Sequence, residues 1–133
     1  MENENVSVVE AIIKNSKGEI LLLKRSKKNK HYVGKWQLPG GKVEFGEKIN
    51  LAIKRELFEE VGIKFKKVNL SKVFSLESNF KNNSVKTIFL MVFETNFFGK
   101  IKLGEDHTKF KFVSLNKINK KSLTLISKKS IFG

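Results

Sequence analysis

The sequence predicts a mixed α/β domain in which helices pack on a β-sheet. Two observations predict it. Apolar, β-branched runs of strand length lie on both sides of one amphipathic segment, Glu47 to Val61. With 133 residues, 40% of them hydrophobic, the chain can build one core but not two ordinary ones, so 1–133 is read as a single domain.

Val6 to Ile13 is rich in β-branched and apolar residues, and Asn15-Ser16-Lys17-Gly18 supplies turn chemistry before a second apolar run, Ile20 to Leu23. This predicts a β-hairpin. Ser26 to Lys35, with four lysines, His31 and Gly34, lacks apolar periodicity and is expected to be an exposed loop beside a cleft. Trp36 to Leu38 is extended again, and Pro39 with Gly40-Gly41 is expected to end it in a turn. In the helix expected over Glu47 to Val61, Leu51, Ile53, Leu57, Phe58 and Val61 form an apolar side, and Gly62 stands where a C-capping glycine belongs. Strands are expected at Val68 to Leu76, Val85 to Glu94 and Lys109 to Leu115, with Ser78 to Ser84 and Asn96 to Gly99 as connections. The lysine- and serine-rich tail from Asn116 is read as ending in a short closing helix.

Composition excludes several functions. The absence of cysteine rules out disulfides, zinc-thiolate sites and thiol catalysis, and suits a reducing cytoplasm. The longest apolar run, Ile88 to Phe93, is too short to span a bilayer, and the N-terminus opens on Glu2 and Glu4 rather than on a basic leader, so a soluble cytoplasmic protein is expected. The formal charge of +14 favours anionic partners. Its 27 basic residues are 25 lysines and two arginines spread along the chain, however, not the arginine-rich clusters typical of nucleic-acid sites.

The acids are more selective. Glu56, Glu59 and Glu60 are spaced i, i+3, i+4, which places them together on a helix opposite its apolar side. Three adjacent carboxylates call for a counter-charge, and a divalent cation with a preference for oxygen ligands supplies one. Arg55 can pair with Glu59 at i+4 and aim it. Gly40 and Gly41 permit close backbone approach. Without a cation, the same residues would make an ordinary solvated helix face.

Gly41, Glu47 and the run Arg55-Glu56-Leu57-Phe58-Glu59-Glu60-Val61-Gly62-Ile63 together resemble the signature box of the Nudix hydrolases, at seven fixed and two aliphatic positions. Trp36-Gln37-Leu38-Pro39-Gly40-Gly41 is similar to that family's entry into the box. The resemblance implies an α/β/α sandwich with a mixed sheet and one central catalytic helix. It also implies Mg²⁺- or Mn²⁺-dependent hydrolysis of a nucleoside diphosphate linked to another moiety. Carried onto this chain, Glu59 and Glu60 become the principal metal ligands, with the Gly40 carbonyl and Glu56, and Arg55 orients the catalytic carboxylate. Glu47 and Gly41 support the loop and the helix start. Glu105 and Asp106 resemble a loop acid found before a late strand, which leaves the general base open between Glu56, Glu105 and Asp106. Arg25 resembles a substrate-facing arginine, and Tyr32 and Trp36 are candidates to stack on a base, with packing beneath the Pro39 turn the favoured reading of Trp36. His31 and His107 receive no role.

The resemblance favours a MutT-like enzyme that converts a nucleoside triphosphate to monophosphate and pyrophosphate, oxidised nucleotides included. The only Pro and the only Tyr both precede the box, and the family's downstream Pro and Tyr marks for ADP-ribose and dinucleoside polyphosphates are therefore missing. Alternatives are an RNA 5′-pyrophosphohydrolase, an ADP-ribose or dinucleoside polyphosphate hydrolase, and a non-catalytic nucleotide sensor. The expected partner is a nucleotide, with no membrane and no nucleic acid other than an RNA 5′ end. The chain is read as a monomer or homodimer.

Overall fold

The computed structural model describes residues 3–29, 32–79 and 85–133. The expected connection Ser78 to Ser84 lies mostly outside these residues, as does His31. The elements run β1 (Glu4–Lys14), β2 (Ile20–Arg25), β3 (Trp36–Gln37), β4 (Gly40–Lys42), α1 (Ile49–Val61), β5 (Asn69–Asn79), β6 (Val85–Asn96), β7 (His107–Val113), two 3-10 turns (Leu115–Lys117 and Lys120–Ser122) and α2 (Leu125–Phe132).

β1 is the axis of the sheet. It pairs in parallel with β6 along its whole length, from Glu4 opposite Lys86 to Lys14 opposite Asn96. Its other edge is shared by β2, at Lys14 opposite Ile20, and by β4, at Val8 to Glu10. β2 in turn gives one edge to β7 and shares the other between β1 and β3. The sheet therefore forks between β1 and β2, and Trp36 to Lys42 is wedged into the fork, with β3 on one prong and β4 on the other. β5 closes the far side antiparallel to β6.

Alternation along β1 sends Val9, Ala11 and Ile13 to one face and Val8 and Ile12 to the other. α1 covers the first face with Ile53, Leu57 and Val61, packed against Leu21, Leu23 and Phe93. Leu123 and Ile131, from the segment that carries α2, cover the second face with Leu22, Leu38 and Leu90. Both faces are buried, which makes this the α/β/α sandwich expected. Among the described residues no helix is long and apolar enough to cross a membrane.

Four local expectations change. The helix begins at Ile49 rather than Glu47, because Glu47 is held in the preceding turn: its N–H donates to the Glu44 carbonyl and its carboxylate accepts from the Glu44 N–H. Leu51 and Phe58 are about half exposed, while Ala52 and Glu60 are buried; the sheet covers a narrower arc than the apolar side of the helix. Gly40-Gly41 opens strand β4 instead of forming a turn, since a Cβ on Gly40 would collide with the Val9 carbonyl of the paired strand. The last strand lies at His107–Val113, two residues earlier than expected. Gly62 is the C-cap as expected, in the left-handed region at φ 79°, with its N–H donating to the Phe58 carbonyl.

Candidate active site

α1 presents its acids to the mouth of the fork. Arg55 organises them. Its Nε and Nη2 donate to the two Glu47 oxygens at 2.7 and 3.0 Å, its Nη1 to Glu56 Oε1 at 2.9 Å, and its Nη2 also to the Lys42 carbonyl at 3.1 Å. Its contacts to Glu59, the pairing expected from i, i+4 spacing, are longer, at 3.3 and 3.4 Å. Hydrogen bonds from Arg55 and from the Glu44 N–H hold the Glu47 carboxyl down at about 2. The same bonds to Glu47 raise the Arg55 guanidinium above its ordinary value.

Glu56 and Glu60 face inward. The Glu56 carboxyl rests on the bare Cα of Gly41, where an added Cβ would stand 2.6 Å from it. Burial pushes Glu56 up, and the Arg55 charge opposes the rise. Glu60 is buried, accepts the Gly40 N–H at 2.8 Å, and pairs with no cationic side chain among the described residues. Burial raises it well above the usual carboxylate range, and Glu56, Glu10 and Asp106 add like charge. Glu59, by contrast, is mostly exposed and turned toward Arg55.

The cleft in front of these groups has a volume of about 860 Å³, within the range of small-molecule sites. Gly40, Gly41, Glu56, Glu60 and Asp106 line it, together with Arg25 and Tyr32. The acid-bearing loop is drawn in by Gly104, whose N–H donates to the Glu60 carbonyl and whose Cα lies against the Glu59 carbonyl. Asp106 is then fixed through its own carbonyl, which accepts from Ser26 N–H and from Asn29 Nδ2. Glu105 points away, largely exposed and 3.6 Å from Lys28. Of the two aromatic candidates for stacking, Tyr32 lines the cleft, with a left-handed backbone at φ 57°. Trp36 does not; its ring packs toward the α2-side core and carries the Lys111 ammonium 4.1 Å from its centroid.

Several cleft residues were not singled out from sequence. Arg25 Nη1 donates to Gln37 Oε1 at 3.0 Å, which turns the Gln37 amide nitrogen toward His107 Nε2 at 2.7 Å. His107 Nε2 is therefore the acceptor and the imidazole proton sits on Nδ1. Burial drives the pKa of this histidine down to about 4, which keeps it neutral. Glu10 is buried on the α2 side and accepts from the Ser127 and Ser130 hydroxyls. A lone acid inside the otherwise apolar run Val8 to Ile13 was the available signal.

The donor set suits Mg²⁺ or Mn²⁺. Its atoms are all hard oxygens, and Glu60 is a buried acid among like charges with no cationic partner. Among the described residues no group of three acidic or histidine side chains could hold a metal ion by itself. Two carboxylates and a carbonyl leave positions for water and phosphate oxygens, the arrangement Mg²⁺ favours.

A mixed-sheet sandwich with this box at its fork defines a class, and the comparisons agree. The NUDIX domain family model matches residues 4–132, and the chain belongs to the Nudix family. It is 35% identical over 102 residues to an ADP-ribose pyrophosphatase of Methanocaldococcus jannaschii, covering 77% of this chain and 58% of that one. It is 40% identical over 60 residues to the 8-oxo-dGTP diphosphatase of Escherichia coli K12, covering 45% and 46%. These matches thus span about half the length of the curated relatives. Among solved structures, a MutT protein from Methanosarcina mazei Go1 superposes with a TM-score of 0.79 at 29% identity, over 98% of this chain and 93% of that one.

Proposed function

We propose that this chain is a metal-dependent pyrophosphohydrolase that cleaves a nucleoside triphosphate to a monophosphate and pyrophosphate. The observation that carries the reading is the pair Glu56 and Glu60, turned from one helix into a nucleotide-sized cleft and seated on Gly41 and Gly40. The MutT-type relatives, with an 8-oxo-dGTP diphosphatase among them, support the mononucleotide class.

In this reading Glu56, Glu60 and the Gly40 carbonyl would hold the cation, and Glu59, on the same helix, would complete the acidic ligand set. When bound, Mg²⁺ or Mn²⁺ offsets the phosphate charge and acidifies a coordinated water. Arg55 holds Glu56 in one orientation by its bond to Oε1. Water adds to one phosphorus, the P–O–P bridge breaks, and the water's proton passes to a carboxylate. Glu56 and Asp106 face the cleft for that task, and Glu105 does not. Arg25, Tyr32 and the Gln37–His107 pair line the same cleft, which supports a role for them in meeting the nucleotide. A cysteine-free nucleotide hydrolase suits the cytoplasm.

A phosphate-release screen with Mg²⁺ over nucleoside triphosphates, oxidised nucleotides, nucleotide sugars and dinucleotides tests this. Turnover of the triphosphates that disappears in chelator is expected. Binding without turnover across the panel would make the chain a sensor instead.

One observation favours a second reading, an RNA 5′ end as substrate. Lys24 stands directly opposite Lys109 in the β2–β7 pair, Lys111 caps Trp36, and Lys35 donates to the Lys121 carbonyl. None of these lysines pairs with an acid among the described residues. Like charges in cross-strand register are unfavourable unless an anion covers them. Faster cleavage of 5′-triphosphorylated RNA than of free nucleotides, with a steep salt dependence, would establish this reading over the first.

A further inference from the structure

Among the described residues Glu10 is the one buried charged-type residue on the α2 face of β1, between Val8 and Ile12. An apolar side chain there, facing alanines on α2, would fill the same space without the cost of burying a carboxyl. The polar arrangement reaches further than the helix. Ser127 Oγ donates to Glu10 at 3.0 Å, and Ser130 Oγ donates to Glu10 at 2.7 Å. Because the single hydroxyl proton of Ser127 is committed to Glu10, its lone pairs turn away, and one of them accepts the Leu38 N–H at 2.9 Å.

Leu38 lies two residues before Gly40. The Pro39–Gly40 peptide unit is anchored on both sides: the Pro39 carbonyl accepts the Ala11 N–H, and the Gly40 N–H donates to Glu60 Oε1. The strand that carries Glu10 also pairs with Gly40 through its backbone. The turn into β4 is thus held from β1, α1 and α2 together, and only the α2 anchor depends on a side chain far from the signature box.

We propose that Glu10 is a positioning residue: through Ser127 it fixes Leu38 and thereby aims the Gly40 carbonyl and the Glu60 carboxylate at the cation. This rests on the metal reading of Gly40 and Glu60 given above. If the proton of Ser127 loses its acceptor, it turns back to a carbonyl one helical turn earlier, as buried helical serines do, and the Leu38 N–H loses its alignment.

The test compares Glu10→Val, Glu10→Gln and Ser127→Ala in the full chain by amide hydrogen exchange at Leu38, by Mn²⁺ binding followed by EPR without substrate, and by thermal unfolding. Glu10→Val is expected to unfold at or above the wild-type temperature, to exchange Leu38 at least tenfold faster, and to bind Mn²⁺ about tenfold more weakly, the usual loss when a group orienting a ligand is removed. Glu10→Gln still offers Ser127 an acceptor and is expected to preserve both properties. Ser127→Ala is expected to reproduce the Glu10→Val losses, and it decides the question should Glu10→Val not fold. Unchanged Leu38 exchange and Mn²⁺ affinity in the folded variants would overturn the proposal. No Mn²⁺ binding by the wild type would overturn the metal reading, and Leu38 exchange alone would then judge the link through Ser127.

Discussion

Arg55 and Glu47 form a two-bonded fork, 2.7 Å from Nε and 3.0 Å from Nη2, across eight residues and the boundary of α1. That fork leaves Nη1 free to hold Glu56 at 2.9 Å. Lysine has one ammonium and no planar fork, so it can satisfy Glu47 or Glu56 but cannot register both. Arg55→Lys is therefore expected to lower kcat about 10- to 100-fold. Its KM for the nucleotide should stay within a few-fold in steady-state kinetics. A kcat within threefold of wild type would show that the fork does not aim Glu56.

Glu60→Gln keeps the shape of the side chain and the acceptor for the Gly40 N–H, and removes a buried acid that already favours its neutral form. The thermal midpoint should hold or rise. Activity with Mg²⁺ should fall on the order of 100-fold or more, since the cation's stabilisation of the transition state is worth several kcal/mol. Equal losses of stability and activity would point to a structural residue instead.

Glycines 40 and 41 should respond differently. The atoms nearest a methyl on Gly41 are the movable end of Glu56, 2.6 Å away. Gly41→Ala should fold with a loss of about 1 kcal/mol and yet turn over roughly tenfold more slowly, as expected for displacing a catalytic group. Gly40→Ala meets the Val9 backbone, which cannot step aside. It should cost about 3 kcal/mol, at the upper end for overpacking. Urea denaturation of the two variants makes the comparison.

Burial raises Glu10 to about 7, with the Ser130 and Ser127 hydroxyls opposing the rise. Because the folded protein holds this proton more tightly than the unfolded chain, the group's contribution to stability is full below about pH 4.5 and is lost as pH rises through 7. The loss amounts to about 3 kcal/mol. His107 acts in the opposite sense: its pKa, lowered to about 4, gives stability that is present above 6.5 and lost as pH falls through 4. The difference between Glu10→Gln and wild type isolates the first term. The variant should gain stability relative to wild type between pH 5 and pH 8 in urea titrations, and a difference that does not change with pH would contradict the assignment.

The site was legible where its geometry is local. Carboxylates at i, i+3 and i+4 must share a helix face, and Gly62 stands where a helix is capped, so the acidic face could be read from spacing, while the box itself was legible as a resemblance to the family. Legibility failed wherever a partner comes from another element. Arg55 was matched with Glu59 because both lie on the helix, while its stronger partner is in the turn before it. A glycine pair usually marks a turn, but here it lets β4 lie close against β1 and Glu56. Leu51 and Phe58 belong to the apolar arc, yet the sheet is too narrow to cover them. Glu10 and the serines of α2 are 117 and 120 residues apart, and no periodicity connects them. For Trp36 the sequence left stacking on a base beside packing under the Pro39 turn, and its strand sets it against the α2-side core under Lys111.

The parallel pairing of β1 with β6 also sets an order of events during folding. β1 cannot gain that neighbour until residues some eighty positions later have arrived, and the Leu38 anchor waits for Ser127, 89 positions further on. Contacts of such long sequence separation form late because the intervening loop must first be closed. The signature helix can therefore wind early while the cleft it serves is still unfinished. Trp36 reports the last stage, since its carbonyl accepts the N–H of Thr124 at the start of α2. On refolding, catalytic competence should return together with the final change in its fluorescence, and not with the earlier recovery of helical signal.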